Sequence, residues 1–138
     1  METQTAKTYK IPERILSRKD EITAGFMKLV DGHVAELMSG KATRRFHAQD
    51  FGARLFIHPR HLTNTLKLTL NTSVCEVMEE RILAESIILL KETTLSIADI
   101  GQKFGYDEPT NFTKFFKSMT GITPLQYRKS FKVESQKS

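Results

Sequence analysis

The chain has one cysteine, Cys75, in 138 residues. No intramolecular disulfide can form, and a reducing interior is the compartment expected; a lone cysteine there is ordinarily a small buried hydrophobe. No apolar run approaches the roughly 18 residues that a spanning helix needs, and the opening "METQTAKTYK" lacks the apolar stretch of a secretory signal. A cytoplasmic protein with no membrane partner is expected. The sequence also lacks a glycine-rich phosphate loop, a Ser/His/Asp grouping with local context and a carboxylate pair set among apolar residues, so no catalytic residue is assigned and no enzyme is expected. His58 and His61 stand three apart, as metal ligands can, but no third ligand lies at useful spacing; no metal and no cofactor are expected.

The 39% of apolar residues suffice for a modest core, not for a large sensor domain plus a separate output domain. Net charge is +5 with a sequence pI near 9.4, which suits a polyanionic partner. The charge is segmental. Lys41, Arg44, Arg45, Arg54, Arg60 and Lys67 face only Asp50 between positions 41 and 72, whereas 76–92 holds five acids and two bases.

Strand alternation is absent and helix punctuation recurs. Ser17 with Asp20 and Glu21 reads as a helix start, and Ile22, Phe26, Leu29, Val30, Val34 and Leu37 repeat at helical spacing up to Gly40. Further helices are predicted over 48–55, from Pro59 to 70, and over 74–92 with Val77, Met78, Ile82, Leu83, Ile87 and Leu90 inward. Ser96 caps a short helix near Phe104 that Gly105 stops, Pro109 opens one ending at Gly121, and Pro124 opens the last. The fold class expected is all-α, with seven helices.

An internal repeat organises them. "DFGARLFI" from Asp50 matches "DIGQKFGY" from Asp99 at an offset of 49, and "PRHLTNTLK" from Pro59 matches "PTNFTKFFK" from Pro109 at an offset of 50. The additional residue falls in the turn. Gly52 and Gly101 would let the first helix of each copy approach the second, Ile57 and Tyr106 would plug the turn, and Asn71 replaces Gly121 where a left-handed residue closes a helix. Each copy reads as a helix-turn-helix. A plain seven-helix bundle would explain neither the duplication nor the charge layout.

On a 100° wheel with the core at Leu62 and Leu66, Arg60, Thr63, Asn64 and Lys67 face away, with His61 on the flank. In the second copy Thr110, Thr113, Lys114 and Lys117 face away, with Asn111 on the flank. No acid lies on either face. Arg pairs with guanine, Asn with adenine, a Thr methyl with thymine, and Lys with phosphate, so these ten residues form the candidate DNA-binding set. The competing expectation is a protein-interaction module, docking on polymerase or another regulator without reading DNA.

The stretch "LSIADIGQKFGYDEPTNFTKFFKSMTGITPLQYR", 95–128, resembles the second helix-turn-helix signature of the AraC/XylS transcriptional regulators, and "RILAESIILLKETTLSI" resembles that family's linker helix. The resemblance covers roughly 20–131. In the first copy Phe56 stands where the family usually has Gly, His58 where it has Ser, and Asn71 where it has Gly.

The resemblance implies an AraC-type DNA-binding domain over 17–132: one helix-turn-helix unit at about 17–72, a linker helix at about 74–92, and a second unit at about 95–132. It implies binding to double-stranded DNA through two recognition helices, nearly parallel and about 34 Å apart, in successive major grooves, and contact with RNA polymerase to activate transcription. Arg81 matches a recurrent Arg of the family and is expected either to touch DNA or to brace the two halves. Cys75, in "SVCEV", lacks the basic neighbours of the reactive Cys found in methyl-transfer repair proteins with a similar DNA-binding part. Residues 1–16 read as a flexible tail or interdomain linker and 133–138 as a closing tail. Most relatives carry a ligand-binding and dimerising domain before this one, for which 1–16 is too short. Either the chain is a stand-alone regulator, monomeric by itself, or, as "KIPERI" slightly favours, the C-terminal part of a longer one that dimerises through its N-terminal domain.

Overall fold

The computed structural model describes residues 17–137, so the leading segment 1–16 lies outside it. Among the described residues there are seven helices and no strand: α1 (Arg18–Ser39), α2 (Ala48–Leu55), α3 (Pro59–Leu70), α4 (Val74–Glu92), α5 (Ile97–Lys103), α6 (Pro109–Thr120) and α7 (Pro124–Lys137). None is long and apolar enough to cross a membrane.

The helix ends follow from local chemistry. Ser17 Oγ accepts from Asp20 N–H at 3.1 Å, and Ser96 Oγ accepts from Asp99 N–H at 3.0 Å, each satisfying a donor that the helix start leaves over. Thr123 and Gln126 cap α7 reciprocally: Thr123 Oγ1 accepts from Gln126 N–H at 3.1 Å, and Gln126 Oε1 accepts from Thr123 N–H at 2.9 Å. Left-handed residues follow the C-terminal ends, with Gly40 at φ 84°, Gly105 and Gly121 at 90°, and two that are not glycine, Phe56 at 61° and Asn71 at 54°.

The described chain divides into two compact units. The first comprises residues up to Val30 with His47–Val74: the first part of α1, then α2 and α3. Its core holds Ile22, Phe26, Phe51, Leu62 and Leu66, with the Phe26 and Phe51 rings edge to face at 5.1 Å. Thr23 and Thr69 share a hydroxyl hydrogen bond of 2.7 Å between α1 and α3. Gly52 is required by close approach: a Cβ there would stand 2.9 Å from Ile57 O and 3.3 Å from Pro59 Cα.

The second unit comprises Asp31–Phe46 and the chain from Cys75 onward. Its aromatic core is built by Phe104, Phe112, Phe115 and Phe116, with Tyr106 stacked on Phe115 and tilted against Phe112, both at 5.6 Å. A Cβ on Gly101 would meet Phe112 Cβ at 2.7 Å. The loop after α1 is tied down by side chains: His33 stacks on Phe46 and accepts its N–H at 2.9 Å, while Arg45 lies over Tyr106 at 4.9 Å and donates to its hydroxyl at 3.3 Å. Cations from distant positions close the carbonyl ends of helices. Lys103 Nζ donates to Met38 O at 3.0 Å, and Arg128 donates to the carbonyls of Leu89, Leu90, Thr93 and Leu95. Helix α7 continues to Lys137, through most of the expected closing tail.

Cys75 corrects one expectation. It is exposed, because Val74, Val77 and Met78 take the inward positions of the first turns of α4. Partial burial and then Glu79 push its thiol up, and Arg45, a basic neighbour not evident in the sequence, opposes them less strongly. A thiol held protonated is a poor nucleophile.

Candidate nucleic-acid interface

The same turn is built twice. In the first unit Ile57 N–H closes on Gly52 O at 3.0 Å, and in the second Tyr106 N–H closes on Gly101 O at 3.0 Å. The left-handed residue is Phe56 in one and Gly105 in the other. Three positions separate Phe56 from Pro59 and four separate Gly105 from Pro109, so the additional residue of the second copy lies in its turn.

Each turn delivers a 12-residue helix with Pro in its first turn. In α3, Leu62, Thr65 and Leu66 are buried, and Arg60, His61, Thr63, Asn64 and Lys67 are all exposed. In α6, Phe112, Phe115 and Phe116 are buried; Thr110, Asn111, Lys114 and Lys117 are exposed and Thr113 is half-buried. Neither helix contains an acid. Each exposed set therefore offers hydrogen-bonding groups and positive charge without a carboxylate to repel phosphate.

The two helix starts differ. His58 Nδ1 accepts from Arg60 N–H at 3.0 Å at the head of α3, whereas exposed Asp107 and Glu108 precede α6 and no side chain caps it. A carboxylate there competes with phosphate for the free N–H groups. The capping role of His58 also accounts for that residue without a metal, and no group of three or more His, Cys, Asp or Glu placed to hold an ion occurs among the described residues.

Arg81 is half-buried on α4 and ion-paired with Asp31 of α1 within the second unit. Three exposed hydrophobes in the first unit escape an inventory restricted to polar reading groups: Phe56, 93% exposed in its turn, and Leu68 and Leu70, 73% and 41% exposed on α3. Their signal in the sequence is position: Leu68 falls off the 62/66 core stripe, Leu70 ends the helix, and Phe56 stands in the turn where the second copy has Gly105.

Comparisons with known proteins agree with this geometry. A family model described as a helix-turn-helix domain matches residues 51–130. The arabinose operon regulatory protein of Escherichia coli (strain K12) is 24% identical over 122 residues, which cover 86% of this chain but 42% of that protein; the chain thus spans less than half the length of that relative. Among solved structures, the C-terminal domain of AraT, a response regulator from Geobacillus stearothermophilus, superposes with a TM-score of 0.71 at 24% identity, covering 83% of this chain and 88% of that one. The DNA-binding domain of the global transcriptional factor AdpA, solved with a target DNA, gives 0.70 at 14% identity, covering 83% and 98%. With its duplicated turns, the seven helices of its described residues and a family match over more than half its length, the chain belongs to the AraC-type helix-turn-helix family of transcription-regulator DNA-binding domains.

Proposed function

We propose that this domain reads a specific double-stranded DNA site by inserting α3 and α6 into successive major grooves, and that it acts as a transcriptional activator. The observation that carries the reading is the pair of acid-free exposed faces on two helices framed by the same turn. A solvated helix face ordinarily mixes acids with bases. The AdpA domain, which shares this fold, is solved in complex with a target DNA, which favours DNA as the partner.

Arg60, Thr63 and Asn64 read base edges from α3, with His61 beside them and Lys67 on phosphate. On α6, Thr110, Asn111 and Thr113 approach the bases while Lys114 and Lys117 hold the backbone. The first unit supplies most of the sequence discrimination, because α3 offers both an Arg and an Asn, Arg60 and Asn64, for paired contacts to guanine and adenine, whereas α6 has Asn111 and no Arg. The second supplies chiefly affinity, through its lysines rather than through the start of α6, where Asp107 and Glu108 stand. Arg81, paired with Asp31, braces α4 against α1 and does not contact DNA. Contact with RNA polymerase, implied by the resemblance, would convert binding into activation.

Selection from a random duplex pool, followed by affinity measured across a salt series, tests the reading. A defined motif with two half-sites and a steep fall in affinity with salt is expected. A protein that retains no duplex, yet binds polymerase with little salt dependence, is an interaction module and overturns it.

A further inference from the structure

Leu68 is 73% exposed on α3, whose other outward residues are polar or basic except Leu70, 41% exposed at the last position of the helix. It follows Asn64 by four positions, which at 100° per residue places it 40° around the helix from Asn64 and about 6 Å further along the axis. That advance is about two base-pair steps of 3.4 Å. The inward side of α3 is already occupied by Leu62, Thr65 and Leu66, and Thr69 is bonded to Thr23. Leu68 therefore shares the face that carries Asn64.

We propose that Leu68 reads the C5-methyl group of a thymine in the groove entered by α3, an inference that rests on the DNA-reading role proposed above. The thymine methyl is the apolar group displayed on base edges in the major groove. Leu70, two positions on, lies 160° around the helix from Leu68, so on the face that carries Asn64 the apolar side chain stands among hydrogen-bonding and cationic neighbours, which fits a target of methyl size better than an extended apolar partner surface. At the offset of 50, the corresponding residue of α6 is Ser118, which is also exposed. The two helices are thus unequal here: α3 carries a methyl reader where α6 carries a hydroxyl.

The test uses the full chain and the duplex that selection recovers, with each thymine replaced in turn by deoxyuridine, which removes the methyl and leaves Watson–Crick pairing intact. In the half-site bound by α3, one replacement is expected to weaken binding about fourfold, the effect of one methyl group returned to water. Leu68→Ala should bind the parent duplex weaker by a similar factor and be indifferent to that replacement. Leu68→Ser, which copies the second unit, should behave likewise, and both variants should keep the parent's melting temperature because Leu68 is exposed. Specific binding with no sensitivity to deoxyuridine anywhere in that half-site overturns the Leu68 assignment and leaves the DNA-reading role standing. So does a penalty that persists unchanged in Leu68→Ala. If no duplex is retained at all, the DNA-reading role falls and this assignment falls with it.

Discussion

Replacing Phe56 by glycine is expected to stabilise the protein, although it removes an entire aromatic ring. Phe56 sits at φ 61°, ψ 38° at the end of α2, where the Cβ of an L-residue crowds the following carbonyl at a cost of about 1–2 kcal/mol. Its ring is 93% exposed, so the burial surrendered on truncation is about 0.2 kcal/mol against the 1.5–3 of a fully buried side chain. Glycine relieves the crowding, but its freer unfolded chain returns about 0.4–1 kcal/mol. The turn hydrogen bonds from Phe56 N–H to Ala53 O and from Ile57 N–H to Gly52 O are backbone bonds and survive the change. The net gain is about 0.6 kcal/mol at the middle of these ranges, and about 1.4 kcal/mol at the upper end. Asn71 provides the control: it adopts nearly the same conformation at φ 54°, but Asn tolerates that region, so Asn71→Gly should be near neutral. Urea denaturation followed by far-UV circular dichroism should show the Phe56→Gly midpoint raised by about 0.3–0.5 M at an unchanged slope. A midpoint that is unchanged or lowered at the same slope would mean that the ring does folding work from its exposed position, and the strain argument would fail.

Gly101→Ala should destabilise by about 1–3 kcal/mol, because the new Cβ would meet Phe112 Cβ at 2.7 Å, at the root of that side chain; an unaltered melting curve would contradict the packing. Arg60→Ala and Asn64→Ala should each cost about 1–3 kcal/mol on the preferred duplex and relax specificity at one position, whereas equal losses on all sequences would reassign them to the backbone. Lys117→Ala should weaken binding about uniformly and lower the salt slope by roughly one unit, as a salt titration on two unrelated duplexes would reveal. The Tyr106 hydroxyl is raised above its usual 10.0, first by burial, with Arg45 opposing. Since the fold favours the neutral form, its contribution is intact below about pH 10 and is lost as pH rises through the folded value. Tyr106→Phe should flatten the alkaline limb of a stability–pH profile, and an unchanged limb would remove Tyr106 as its cause.

The helix ends are readable in the sequence because what ends a helix is local. Ser17 and Ser96 bond donors three residues on, and Asn71 and Gly121 take the left-handed conformation their residue types permit. The exposed faces of α3 and α6 are readable for a similar reason, since the 62/66 and 112/116 stripes fix which side is buried. Thr113 lies at the edge of its stripe, and a wheel does not resolve its half-burial. What local pattern cannot disclose is long-range: Lys103 on the Met38 carbonyl, Arg45 over Tyr106, or Arg128 at the end of α4. Cys75 marks a conflict between two kinds of rule, because residue type favours burial while the phase of α4 turns the side chain outward, and phase prevails. Leu68 marks the opposite failure: a search for polar reading groups passes over an apolar residue on the face that carries Asn64.

The contact of Arg128 with the carbonyls around the end of α4 also sets an order of events during synthesis. The first unit is complete once Val74 has emerged. The end of α4 and the segment to Leu95, however, await a guanidinium encoded 33 positions later. At about 5–20 residues per second on the ribosome, that interval lasts roughly 2–7 s. During it all four carbonyls lack the guanidinium, and of them Leu89 O already accepts from the N–H and the hydroxyl of Thr93, while the earlier unit can already be folded as the later one waits for its last helix.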